Sequence, residues 1–180
     1  MLKQNVLKTY KNNISQDILT NFDKLFGLVN STIVTTRKIM TDLRPEVLYL
    51  LGFVESAKLQ TSRFEERYKI KCDFDTLITK LEVNTQQSVA LYRILQESLT
   101  NIVKHSKATE VKVKLYAHSN KLTLEISDNG IGLPESPKVK PDSFGLIGMK
   151  ERAFLLDADL SVTGKSGEGT TIKVVMPYFV

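Results

Sequence analysis

The stretch Leu122-Thr123-Leu124-Glu125-Ile126-Ser127-Asp128-Asn129-Gly130-Ile131-Gly132 runs an alternating strand straight into an acid and two glycines. Asp and Gly are ordinary turn residues after a strand, but glycine also lets backbone come close to a ligand. Upstream, Glu97 and Asn101 lie four apart in a strongly helical segment, so they share one face about one turn apart. As a solvated helix face the pair would mean nothing; beside the glycine corner it offers two oxygen ligands for a hard cation such as Mg²⁺. Two more glycine clusters follow, Phe144-Gly145-Leu146-Ile147-Gly148-Met149-Lys150-Glu151-Arg152-Ala153 and Gly164-Lys165-Ser166-Gly167-Glu168-Gly169-Thr170-Thr171. Three such clusters, each at a strand end or a helix start, are hard to assign to turns alone and point to a pocket for a nucleotide.

Composition places few limits on that reading. The chain has 180 residues, 42% hydrophobic and 25% charged, as expected of one globular domain with an accessory element. No apolar run approaches bilayer-spanning length, and no signal peptide is visible. A single Cys72 excludes an internal disulfide and reads as a buried small hydrophobe in a strand. A net charge of +5 could suit nucleic acid or an acidic partner, but lysines are scattered and no basic helix carries interleaved aromatics.

Outward from the glycine corner, residues 110–118 and 121–127 both alternate and form a hairpin across Ser119-Asn120. A helix is expected over residues 88–104, a strand over 68–74, a short helix over 149–156, and two last strands over 160–163 and 171–178. Residues 133–143, with Pro134, Pro137 and Pro141, read as a loop. Toward the N-terminus, residues 1–10 read as the tail of a helix and 11–17 as a polar turn. Apolar residues Leu19, Phe22, Leu25, Phe26, Val29, Ile33, Ile39, Met40 and Leu43 recur at helical spacing, which predicts one long amphipathic helix over 18–43. Pro45 ends it by restricting Arg44, and a second helix is expected over 46–67 with Gly52 as its weak point.

Ile94-Leu95-Gln96-Glu97-Ser98-Leu99-Thr100-Asn101-Ile102-Val103-Lys104-His105-Ser106 resembles the N box of the Bergerat-fold (GHKL-type) ATPases. That superfamily includes histidine kinases, gyrase-type topoisomerases, Hsp90-type chaperones and mismatch-repair ATPases. Asp128-x-Gly130-x-Gly132 resembles its first glycine box, Gly145-Leu146-x-Gly148-Met149 the second and Gly167-x-Gly169-Thr170 the last, all in the family's order. The segment from Arg37 through Asp42-Leu43-Arg44-Pro45 to Leu51-Gly52 is similar to one histidine-kinase subfamily, paired with helix-turn-helix response regulators; Tyr49 departs from it, where Asp is common. The resemblance implies an α+β fold: a partial dimerisation hairpin over 1–44, then a two-layer sandwich over 45–180 with a mixed, mostly antiparallel sheet covered by helices. It implies ATP and Mg²⁺ as cofactors. Asp128 would accept from the adenine amino group, with Gly130 and Gly132 beside the base and Thr170 adding a hydroxyl. Asn101 would hold Mg²⁺, with Glu97 as helper ligand or as the catalytic, water-orienting carboxylate. Lys104 and His105 would reach phosphates, and the Gly145, Leu146, Gly148 and Met149 box would close a lid over residues 133–144. No Walker-type lysine loop is present.

The phosphoacceptor is the missing part. Neither His105 nor His118 is followed by an acid, and residues 18–43 contain no histidine. The chain is therefore expected to begin inside the acceptor helix, beyond the phosphoacceptor histidine, of a longer cytoplasmic or membrane-anchored parent that is a homodimer through its hairpin. A response-regulator receiver domain is the implied partner, with no nucleic acid and no membrane contact by this piece. Two alternatives stay open: an acceptor-less regulatory module (a pseudokinase or anti-sigma-like binder), and a nucleic-acid-associated ATPase of the topoisomerase or mismatch-repair type.

Overall fold

A computed structural model describes residues 21–22, 24–29, 32, 46–133 and 144–179. The chain divides into two compact units, Met1–Pro45 and Glu46–Val180. In the first unit the described residues are helical, the Phe22 and Phe26 rings stack with centroids 6.5 Å apart, and Thr32 Oγ1 donates to the Leu28 carbonyl at 2.8 Å. The rest of the helix expected over 18–43, and all of residues 1–17, lie outside the described residues. No helix among the described residues is long and apolar enough to cross a membrane.

The second unit runs α1 (Glu46–Tyr68), β1 (Lys71–Thr76), α2 (Thr85–Asn101), a π-turn (Ile102–Ser106), β2 (Glu110–His118), β3 (Lys121–Asp128), α3 (Phe144–Phe154), β4 (Asp159–Gly164) and β5 (Thr170–Pro177). The strands form one mixed sheet in the order β1-β2-β3-β5-β4. Only β1–β2 is parallel, and the other pairings are antiparallel. Period-two alternation assigns the two faces. In register across β2, β3 and β5, Val113, Ile126 and Ile172 form one apolar row, and Leu115, Leu124 and Val174 the next. These rows share a single core with Leu91, Ile94, Leu95 and Leu99 of α2 and Phe53, Val54, Ala57 and Phe64 of α1. Removing a fully buried leucine such as Leu95 from it would cost about 2–5 kcal/mol. The other face carries Lys112, Lys114, Glu125 and Lys173, with ion pairs such as Lys173–Glu125 at 3.6 Å. The α+β two-layer expectation for this unit is met.

Local chemistry explains where boundaries differ from expectation. Helix α2 begins at Thr85, not Ser88, because Asn84 and Gln87 form a reciprocal capping box: the Gln87 N–H donates to Asn84 Oδ1 and the Asn84 N–H to Gln87 Oε1, each at 2.9 Å. Its α-helical part stops at Asn101, and the wider π-turn ends at Lys107 in the left-handed conformation (φ 53°). Strand β1 starts at Lys71 rather than Tyr68. Tyr68 is still helical, its ring 5.3 Å from that of buried Phe64, and the Lys69 N–H closes α1 on the Glu65 carbonyl at 2.9 Å. Helix α3 starts at Phe144 rather than Met149, so it includes Gly145 and Gly148. In the hairpin, Ser119 (φ 50°) and Asn120 (φ 58°) are both left-handed. That turn matches the twist of the flanking strands.

Gly52 interrupts α1 with φ 73° and ψ 176°, a region essentially restricted to glycine. A Cβ there would meet nothing within 4 Å, so the requirement is conformational, not steric. One turn later the buried Ser56 hydroxyl has no hydrogen-bond partner. Thr61, Ser98 and Ser106 each donate to the carbonyl four residues back. For Ser56 that carbonyl belongs to Gly52, whose ψ turns it off the helix axis. Gly52→Ala should therefore lower stability by about 1–3 kcal/mol. Ser56→Ala should be neutral or stabilising, since it removes an unpaired buried hydroxyl. Urea unfolding of both variants checks the pair.

Candidate functional site

Asp128 ends β3 opposite Thr170 of β5. Its half-buried carboxylate accepts from the Gly130 N–H at 2.8 Å. Burial pushes this carboxyl above its ordinary value, opposed by the backbone N–H groups of Gly130 and Thr170. The next side chain is a clamp. Asn129 Oδ1 accepts from the Thr109 and Glu110 N–H groups at 2.9 and 3.0 Å, and its Nδ2 donates to Thr109 Oγ1 at 2.9 Å. The glycine turn is thereby tied to the start of β2. The Ile131 N–H donates to the Ser106 carbonyl at 2.8 Å, and the Gly167 N–H donates to the Ile131 carbonyl at 2.8 Å.

Gly130 and Gly132 fill places that a side chain could not. A Cβ on Gly130 would run into the Ser106 carbonyl, and one on Gly132 (φ 70°) into the Lys165 carbonyl. The Asp128–Gly132 turn is thus pressed between the end of the α2 helix and the β4–β5 turn, where Gly169 lies against the Asp128 carbonyl.

A second cluster lies further back on α2. Glu97 and Asn101 are half-buried on that helix, and Lys104 and His105 are exposed on the π-turn that continues it. The Glu97 carboxylate sits against Gly145 in the first turn of α3. One residue along, Ser98 Oγ contacts Met149 Sδ at 3.7 Å. Met149 is fully buried, so its side chain is part of the interior, while Leu146 is 38% exposed. A Cβ on Gly148 would meet only the flexible end of Arg152. Along nearly one rod this cluster runs from Glu97 to His105, next to the Ser106 carbonyl that holds the glycine turn, and Glu97 itself lies about 13 Å from Ser106 along it.

Among the described residues no group of three or more His, Cys, Asp or Glu could hold a metal by itself. Magnesium is typically held by one or two protein ligands with water and substrate phosphates, and the oxygens of Glu97 and Asn101 suit that role. The expected lid falls mostly on residues 134–143, outside the described residues. Sequence reasoning missed three parts of the site. The Asn84-Thr85-Gln86-Gln87 cap was legible as a capping pattern. The Asn129 clamp and the π-turn that carries the Ser106 carbonyl were not, because their partners are distant in sequence or set by backbone shape.

Residues 86–179 match the model of the histidine kinase-, DNA gyrase B- and HSP90-like ATPases. The chain belongs to this family. Over 96% of its length it is 36% identical to the signal transduction histidine-protein kinase/phosphatase DegS of Brevibacillus brevis, covering 44% of that protein. It is 27% identical over 89% of its length to the oxygen sensor histidine kinase NreB of Staphylococcus carnosus, covering 46% of it. The chain thus spans under half the length of these relatives. Among solved structures, the blue-light activated histidine kinase of Erythrobacter litoralis shares the fold with a TM-score of 0.68 at 21% identity, over 84% of this chain and 51% of that one.

The raised Asp128 carboxyl predicts a signed pH effect. In the folded state the group binds its proton more tightly than in the unfolded chain. Its ionisation therefore costs nothing below the ordinary value of 3.8 and costs stability as pH rises through the raised value. Asp128→Asn keeps an acceptor oxygen for Gly130, so it should gain on the wild type across that window and hold a constant advantage above it. Urea unfolding of both proteins from acid to neutral pH measures the difference; a pH-independent difference would show an unshifted carboxyl.

Proposed function

We propose that this chain is the ATP-binding catalytic region of a two-component sensor histidine kinase. Such a region passes the γ-phosphate of ATP to a histidine outside the chain, and thence to the receiver domain of a response regulator. The observation that carries this reading is the half-buried Asp128 carboxylate, docked by its glycine turn onto the helix that carries Glu97 and Asn101. Membership of an ATPase family and the named histidine-kinase relatives support it. The Arg37–Gly52 similarity supports the subfamily paired with helix-turn-helix regulators.

In this reading the Asp128 carboxylate also accepts from the adenine amino group, which selects adenine over guanine, whose equivalent group is a carbonyl. Thr170, opposite Asp128 in the sheet, adds its hydroxyl on the same side of the base. Asn101 provides an oxygen ligand for Mg²⁺, which neutralises phosphate charge when bound, and Glu97 is a helper ligand or the water-orienting carboxylate at the reacting phosphate. Lys104 and His105 are exposed on the π-turn and free to meet phosphates. The first turn of α3, with Gly145 and Leu146, offers backbone N–H groups at a positive helix end, and Gly148 follows one turn from the start. Phosphoryl transfer needs mainly positioning and charge neutralisation, which this set of groups supplies. The exposed Phe22, Leu25 and Val29 recur at helical spacing in the first unit and support dimerisation of the parent through that helix.

Titration calorimetry should show Mg-ATP binding, weaker GTP binding, and a loss of about 1–3 kcal/mol for ATP in Asp128→Asn. Asn101→Ala should fold normally and lose the magnesium-dependent part of the affinity. Equal binding of ATP and GTP would overturn the adenine assignment. Mixed with ATP alone, the chain should stay unlabelled; a separate helical hairpin bearing a histidine followed by an acid should be phosphorylated slowly, because it lacks the effective concentration of a tethered acceptor. Acid-labile phosphate on this chain without added hairpin would show an acceptor within it. Nucleotide binding with no transfer to any hairpin would favour the regulatory module.

A further inference from the structure

We propose that Gly145 is a positioning residue for Glu97: the absence of a side chain on the first turn of α3 leaves the space that the Glu97 carboxylate fills. The functional consequence rests on the reading of Glu97 as acting at the reacting phosphate. The steric statement rests on geometry alone.

Gly145 lies inside α3, and its backbone has no left-handed φ. Alanine is the best helix former and glycine among the poorest, so the backbone gives no reason for glycine here. Space does. A Cβ on Gly145 would overlap Glu97 Oε1 and lie 3.1 and 3.5 Å from Glu97 Cδ and Cγ. All three nearest atoms belong to that one side chain. Gly130 and Gly132 differ, because backbone blocks them, and so does Gly148, which faces only the end of Arg152.

The two helices are held so that the carboxylate, not the backbone, would yield. Leu95, Ser98 and Leu99 flank Glu97 and are buried, Met149 is buried on the facing helix, and Ser98 Oγ meets Met149 Sδ at 3.7 Å. A methyl on residue 145 is accommodated by turning the Glu97 side chain away. The positive end of α3 favours a carboxylate in the native position, and that attraction is lost with it. The hydrogen bonds and close approaches at the Asp128 corner involve neither Glu97 nor Gly145, so that corner is untouched. The expected signature is a loss in kcat with little change in KM for ATP.

Wild type, Gly145→Ala, Glu97→Asp and the double variant test this, with Glu97→Gln and Gly148→Ala as controls, each as the full chain. The direct readout is the side-chain carboxyl carbon resonance of Glu97 in nucleotide-free protein, assigned by its disappearance in Glu97→Gln. Gly145→Ala should keep or raise Tm and displace that resonance, whereas Gly148→Ala should leave it in place. With Mg-ATP and the separate histidine-bearing hairpin, Gly145→Ala should lower kcat by about tenfold to a hundredfold, the scale of a small misplacement of a catalytic group. KM should stay within about threefold, as expected when an interaction made in the transition state is lost. Aspartate is one methylene shorter and vacates the space, so Gly145→Ala should cost clearly less in the Glu97→Asp background. An unmoved Glu97 resonance in Gly145→Ala overturns the proposal, as do penalties that multiply independently in the double variant. A wild type that binds no nucleotide and transfers no phosphate overturns the kinase reading instead, and the resonance then decides the steric coupling by itself.

Discussion

The Ser106 carbonyl accepts the Ile131 N–H at 2.8 Å, and the relation between the two halves of the site depends on that bond. It joins the wide last turn of the α2 rod to the turn that leaves β3. Gly130 permits the approach, because any Cβ there would collide with the same carbonyl. Ser106 is fixed from its own side as well: its hydroxyl donates to the Ile102 carbonyl at 2.9 Å and accepts the Ala108 N–H at 3.0 Å. Through this junction Glu97 and Asn101 on a helix and Asp128 on a strand belong to one frame. Losing it would leave the carbonyl of buried Ser106 without this partner, at about 1–3 kcal/mol.

Gly52, Gly130, Gly132 and Gly145 meet three different demands, which only the tertiary structure separates. Gly52 is needed for a backbone conformation, with open space around it. Gly130 and Gly132 are needed because backbone from other segments occupies the place of a side chain. Gly145 is helical and excluded from bearing a side chain by a carboxylate alone. The first two kinds maintain architecture, whereas the third bears on the placement of one functional group.

Asp128 shows what the site demands of the fold. A half-buried carboxylate opposed by desolvation is a net cost to stability at neutral pH, only partly offset by two backbone N–H groups. The charged outer face of the sheet does little to compensate, since exposed ion pairs such as Lys71–Asp73 at 3.3 Å contribute little. The apolar rows and the helices packed on them carry the stability that lets the polar corner persist.

Local patterns determined much of this protein without coordinates. Alternation located β2 and β3 and their face toward the core, because side-chain period in a strand is a local property. The Glu97–Asn101 spacing put both groups on one face, because helical geometry is local too. The order of the glycine clusters placed the chain in its family. Tertiary structure decided the remainder. The Asn129 clamp links positions twenty apart, the Gly145–Glu97 contact joins two helices, and the orphaned Ser56 hydroxyl follows from a kink at Gly52. A residue's neighbours across elements depend on how the elements pack, and that information is spread over the whole core rather than written at any one position.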